Sequence, residues 1–176
     1  MSIPNPPLSD VIRLNQIGAG LTRVLEPEAD IRKAIARALD LQALDTFTAE
    51  LTVEPTTTGW TLSGRVRADV VQTCGLTLEP LPATVDERFS VGLVEGPAPE
   101  PEEDVEIDVQ MVDDSPDYIE DGRIDLGQYA VEQLSLALDP FPRKPGATFV
   151  QPDEPAEISP FAVLKAMQDK KADDES

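Results

Sequence analysis

Cys74 is the only cysteine of the 176 residues, and the chain has no histidine. The commonest general base and the commonest metal ligand are therefore missing, which excludes a serine-hydrolase triad and an ordinary zinc site. A lone cysteine forms no intrachain disulfide, so a reducing, cytoplasmic setting fits. Cys74 follows an apolar strand and precedes Gly75. It reads either as a thiol at an exposed turn or as a small apolar filler, the filler being favoured. No glycine-rich phosphate loop is present. Carboxylates are abundant, but the densest group, with Glu100, Glu102, Glu103 and Asp104, lies in proline-broken sequence. An acid-base pair needs a rigid, partly desolvated setting to tune its pKa values. The run also lacks the spacing and central glycine of a calcium-binding helix-loop-helix. These absences name no catalytic residue, cofactor or metal, and the chain reads as a binding protein, not an enzyme.

Binding chemistry rests on charge. Net charge is −20, unevenly spread: residues 1–90 carry 12 acidic and 8 basic side chains, residues 91–122 carry 12 acidic and no basic ones, and residues 123–176 carry 10 and 6. A flexible polyanion of this kind suits a basic protein. It repels phosphate unless it points away, and an aromatic content of 5% offers little platform for base stacking. The candidates for RNA contact are Arg65 and Arg67, which share one face of a strand, and Arg143 and Lys144 in a turn. The plainer reading of these four is a solvated sheet face and a helix exit. Arg32, Lys33 and Arg37 read as the solvated side of a helix.

The elements that must carry these groups follow from periodicity. Residues 8–25, with Gly18 and Gly20, suggest one or two short strands around a turn. Ile31, Ala34, Ile35, Ala38 and Leu39 give the stripe of a helix over 27–40. Phe47, Ala49, Leu51 and Val53 alternate as a strand, Thr56–Gly59 turns the chain, and residues 60–70 return. Pro80 and Pro82 are expected to interrupt the sheet before Val85, Phe89, Val91 and Leu93 resume it. Residues 95–122, rich in proline and acid, read as a mobile linker, with an edge strand over 105–111 as the less favoured alternative. Asp125 and Gln128 resemble a capping box for a helix over 126–138, Ser159 and Pro160 can start a short third helix, and residues 170–176 should fray. The whole is expected to be one α+β domain over 1–176: an antiparallel β-sheet packed with two or three helices and interrupted by an acidic mobile linker. No apolar run approaches the roughly 20 residues of a membrane span, and the first residues lack the pattern of a signal peptide.

Three segments in this order, Val70–Pro80, Asp121–Leu126 and Ser159–Leu164, resemble the YceD family, which is associated with accumulation of 23S ribosomal RNA. The turn Leu138–Gly146 is similar to that of the branch common in alphaproteobacteria. Many relatives carry a CxxC pair followed three residues later by proline; Cys74, Thr77 and Pro80 occupy those positions, with threonine in place of the second cysteine. One cysteine without histidine cannot hold a thiolate-bound metal. The resemblance implies a cytoplasmic ribosome-biogenesis factor acting on large-subunit ribosomal RNA, on a basic large-subunit ribosomal protein, or on both. The alternative is an acidic protein–protein adaptor outside ribosome assembly.

Overall fold

A computed structural model describes residues 7–98 and 115–148. The elements all lie in the compact unit Met1–Pro145. Strands β1 (Val11–Arg13) and β2 (Leu21–Leu25) flank a 3-10 turn over Leu14–Gln16. Helix α1 (Ala29–Ala38) follows, then the long strands β3 (Ala43–Pro55), β4 (Trp60–Thr73) and β5 (Pro80–Glu95). The short strands β6 (Asp117–Ile119) and β7 (Arg123–Asp125) lead into helix α2 (Leu126–Ala137). The main sheet has the order β2-β3-β4-β5-β6, and β1 pairs with β7 in a two-stranded sheet. The fold is α+β, as the periodicity predicts. Its sheet is antiparallel up to the last pair, where β6 runs parallel to β5.

Strand alternation decides which face is covered. Phe47, Ala49, Leu51 and Val53 of β3 are buried, and so are Leu62, Val66, Ala68 and Val70 of β4. Residues i and i+2 share a face, so this inner face meets Ile35 and Ala36 of α1 and Leu126, Ala130, Val131 and Leu134 of α2 in one core. Gly64 lies within the same face. A Cβ there would stand 2.7 Å from Leu51 Cδ2 and 2.9 Å from Phe89 Cε1, so glycine is what lets β3 and β5 fill the space beside it.

Two connections set the surfaces discussed below. After α1, Asp40 takes a positive φ of 55°, and Leu41 N–H donates to Ala36 O at 2.8 Å, a left-handed helix exit that turns the chain back along α1. Asp125 caps α2 by accepting from Gly127 N and Gln128 N, as its place in the sequence predicts. It also accepts from Asp10 N at 2.9 Å and Ser9 Oγ at 2.6 Å, so one carboxylate caps the helix and ties down the entry to β1.

The structure corrects two boundaries. Pro80 and Pro82 do not interrupt the sheet; they open β5, opposite Thr73 and Val71. Cys74 N donates to Glu79 O, and bonded and unbonded pairs alternate in an antiparallel ladder. Both prolines therefore fall at unbonded positions, where a missing N–H costs nothing. The stretch expected as linker from 95 to 122 is structured at both ends. Glu95 closes β5, and Asp117–Ile119 forms β6 with Ile119 buried, because Ile119 can fill the core at the open end of β5. The suggested strand at 105–111, the helix at Ser159–Pro160 and the tail 170–176 lie outside the described residues.

Candidate functional site

The outer face of the sheet carries Arg65 and Arg67, on one side of β4 as their spacing predicts. Register brings Glu50 opposite Arg65 and Asp86 opposite Arg67, and each arginine takes the diagonal carboxylate. Arg65 Nε and Nη2 form a two-pronged pair with Asp86 at 2.5 Å, and Arg67 Nη2 pairs with Glu50. Hydrogen bonding and the adjacent charge of Asp86 raise the Arg65 pKa, and Arg65 holds Asp86 below the usual carboxylate range. Next in line, Asp69 accepts from Thr46 Oγ1 at 2.8 Å and from Thr84 Oγ1 at 2.9 Å, which lowers its pKa, Thr46 contributing most. With Arg88 opposite Arg65, the face holds three guanidinium groups and three carboxylates, two of each in direct pairs, and their charges balance.

Arg143 and Lys144 belong to a different place, since β4 runs roughly 25 Å from Arg65 to its end at Thr73. There the turn Cys74–Glu79 receives the loop that leaves α2. Gly75 N donates to Pro142 O at 2.9 Å, Gln72 Nε2 to Asp139 O at 2.9 Å, and Lys144 Nζ to Glu79 Oε2 at 2.9 Å. Cys74 is fully enclosed, which fits the filler reading, yet its sulfur accepts from Lys144 N at 3.3 Å. Its shell is one of donors, not hydrocarbon. The Thr77 hydroxyl first, then the backbone N–H groups of Lys144, Thr77 and Leu76, pull the thiol pKa down to about 6, outweighing desolvation. Threonine at 77 thus favours the thiolate form of Cys74. The assembled turn and loop present Leu78 and Phe141, both three-quarters exposed, beside exposed Arg143. Together the two apolar side chains make a small exposed apolar patch at this end of the sheet. Sequence reading missed them because exposure is not visible in residue type.

A third surface is the acidic cleft of about 660 Å³ between β6, β7 and α2, lined by Asp117, Glu120, Asp121, Asp125 and Glu132, with Arg123 as its one basic residue. Tyr129 forms part of its wall and donates from its hydroxyl to Asp117 Oδ2 at 2.8 Å. Burial and that carboxylate push the Tyr129 pKa up. Tyr118, also on the wall, is 40% exposed. Glu100, Glu102, Glu103 and Asp104, the acidic candidates from sequence, lie outside the described residues. Among the described residues no group of histidine, cysteine and carboxylates could hold a metal ion, and no helix is long and apolar enough to cross a membrane.

No curated protein and no solved structure matches the chain. A family model described as large ribosomal RNA subunit accumulation protein YceD matches residues 62–171, a stretch that includes the Cys74 turn, the acidic cleft and the Arg143–Lys144 loop. Its description names the accumulation of a ribosomal RNA and no reaction. Covering more than half of the sequence, the match establishes that the chain belongs to the YceD family.

Proposed function

We propose that this protein is a non-enzymatic, cytoplasmic ribosome-biogenesis factor that supports accumulation of 23S ribosomal RNA and assembly of the large subunit by binding ribosomal RNA, a basic large-subunit ribosomal protein, or both, with residues 1–176 acting as one unit. Family membership supplies the process. The observation that carries the mode of action is the cleft, whose lining holds five acidic residues, one arginine and two tyrosines. Acidic groups with amphipathic aromatics suit the Lys- and Arg-rich extensions of a basic protein, whose approach the field accelerates. Glu100, Glu102, Glu103 and Asp104 add to that field. At the other end of β4, Phe141 with Arg143 offers a stacking group beside a cation, the combination used on unpaired bases, with Lys144 next to it on Glu79. Arg65 and Arg67 contribute less, because a phosphate must displace Asp86 and Glu50 to reach them.

Crosslinking in cells, with identification of both attached RNA and attached protein, tests this reading. Large-subunit ribosomal RNA or large-subunit ribosomal proteins should dominate the crosslinks, and depletion of the protein should lower 23S ribosomal RNA. Recovery of neither would favour an adaptor outside ribosome assembly.

A further inference from the structure

Helix α1 lies outside the stretch matched by the family model, and none of the surfaces above uses it. Its residues Ala29, Arg32, Lys33, Ala36 and Arg37 line one side of a groove of about 480 Å³ whose other side is Leu41–Asp45. The groove exists because the left-handed exit at Asp40 turns the chain back along the helix and Gln42 N–H then docks on Val71 O at 2.8 Å. Spacings of three and four residues place all five helix positions on one stripe. The two alanines leave room between the long basic side chains.

The charges of this groove are not paired as those of the sheet are. Arg32 donates from Nη1 to Pro27 O at 2.8 Å and Arg37 from Nε to Lys33 O at 3.2 Å. Both acceptors are neutral carbonyls, so the two positive charges remain uncompensated among the described residues. Lys33 meets Asp30 at 3.3 Å, but Asp30 is almost fully exposed, and an exposed pair of this kind is weak and screened. The sole carboxylate among the groove-lining residues is Asp45. Arg32 Nε–H, moreover, is shut off from solvent with no acceptor among the described residues. On a chain of net charge −20, a groove with three cations and one acid is an exception whose complement is a row of negative charges.

We propose that the groove between α1 and the start of β3 binds the phosphate backbone of RNA, with Lys33 and Arg37 making the phosphate contacts and Arg32 holding the wall. This deepens the function proposed above and rests on it for the choice of RNA over other polyanions. Phosphate contacts of this type give affinity without sequence preference and a steep salt dependence.

The test uses the full-length protein and a fluorescein-labelled, 30-nucleotide single-stranded RNA of mixed sequence, read by fluorescence anisotropy from 50 to 200 mM salt. The double variant K33E/R37E should lose at least tenfold in affinity at the lowest salt. Its plot of log affinity against log salt should be shallower by about 1.4, from two lost contacts on a single strand. K33Q/R37Q, which avoids introducing acid, should give a smaller loss with the same change in slope, and circular dichroism should place both variants in the native fold. Polyglutamate should not compete. Unchanged affinity in both variants, absence of RNA binding by the wild type at 50 mM salt, or equal competition by polyglutamate would each overturn the groove as an RNA site. Failure of the broader reading would look different, with intact groove binding in vitro but no change of 23S ribosomal RNA on depletion.

Discussion

The outer face of the sheet and the groove beside α1 carry the same complement of basic residues, three each, and differ in what those residues touch. On the sheet, Arg65 and Arg67 are each held by a carboxylate of a neighbouring strand. In the groove, Arg32 and Arg37 donate to backbone carbonyls and have no carboxylate partner among the described residues. An anionic ligand must break a cross-strand pair on the sheet, whereas in the groove it fills an existing deficit. The capacity of a basic cluster to bind is set by its partners, and in a β-sheet those partners come from register.

Both surfaces ride on one closely packed sheet, and removing that frame is the harshest way to break the comparison. Gly64→Ala would bring a Cβ to 2.8 Å from Glu50 O and 2.7 Å from Leu51 Cδ2, forcing β3 and β5 apart at the centre. Stability should fall by about 3 kcal/mol, as overpacking of a filled core does, measured as the shift of a urea midpoint. RNA binding should fall only as far as the folded fraction does.

Next in size is Asp125→Ala, which leaves both basic surfaces in place and removes the cap of α2 together with the tie to Ser9 and Asp10. The expected loss is about 1–2 kcal/mol. Amide exchange should quicken at Asp10, Gly127 and Gln128 before it quickens in β4. Equal acceleration in β4 would mean that the carboxylate supports the whole sheet and not its local joint.

Cys74 gives an effect of a different kind, one that depends on pH. Its donors depress the thiol pKa from about 9 to about 6 in the folded chain. The unfolded state therefore holds the proton between those values while the folded state has lost it, and stability from this group rises with pH from about 6 to about 9. It is fully present above the unfolded pKa and is lost as pH falls through the folded one. A thermal-stability profile over this range should flatten in Cys74→Ala. Cys74 lines neither the groove nor the outer face of the sheet, so RNA affinity should not follow the profile.

Which of these features can be read from the sequence follows from how local their causes are. The alternation Phe47, Ala49, Leu51, Val53 and the helical stripe of α2 are local patterns, and burial follows them directly. Pro80 and Pro82 mislead because composition does not tell on which side of a ladder the missing N–H falls. Ile119 sits among acids, and its burial depends on the open end of β5, more than twenty residues away in sequence. Arg65 and Arg67 were legible as a shared face, but their neutralisation depends on Asp86 and Glu50 arriving in register. The low pKa of Cys74 comes first from Thr77, three residues on, and then from the N–H of Lys144, 70 residues on, which only the fold brings to the sulfur. In α1 the spacing of Arg32, Lys33 and Arg37 is plain in the sequence and reads as a solvated helix face. The groove itself arises from a turn at Asp40 that no apolar period announces.

The smallest expected effect is the sharpest test of the comparison. Replacing both sheet arginines, as R65Q/R67Q, removes two positive charges, as K33Q/R37Q does in the groove, so any nonspecific effect of net charge is matched. The sheet variant also releases Asp86 and Glu50 to solvent. Because those carboxylates are about half exposed, water resolvates them readily, and exposed pairs contribute little to stability. The melting temperature should move by less than about 3 °C. RNA affinity should stay within about twofold of wild type, with the slope of log affinity against log salt unchanged, since charges already neutralised by carboxylates release few counterions on binding. A loss matching that of K33Q/R37Q would mean that phosphate displaces Asp86 and Glu50 and that the outer face is an RNA surface in its own right. An unchanged slope beside a shallower one in K33Q/R37Q would establish that the cations of α1, and not the cross-strand pairs of β4, meet the backbone.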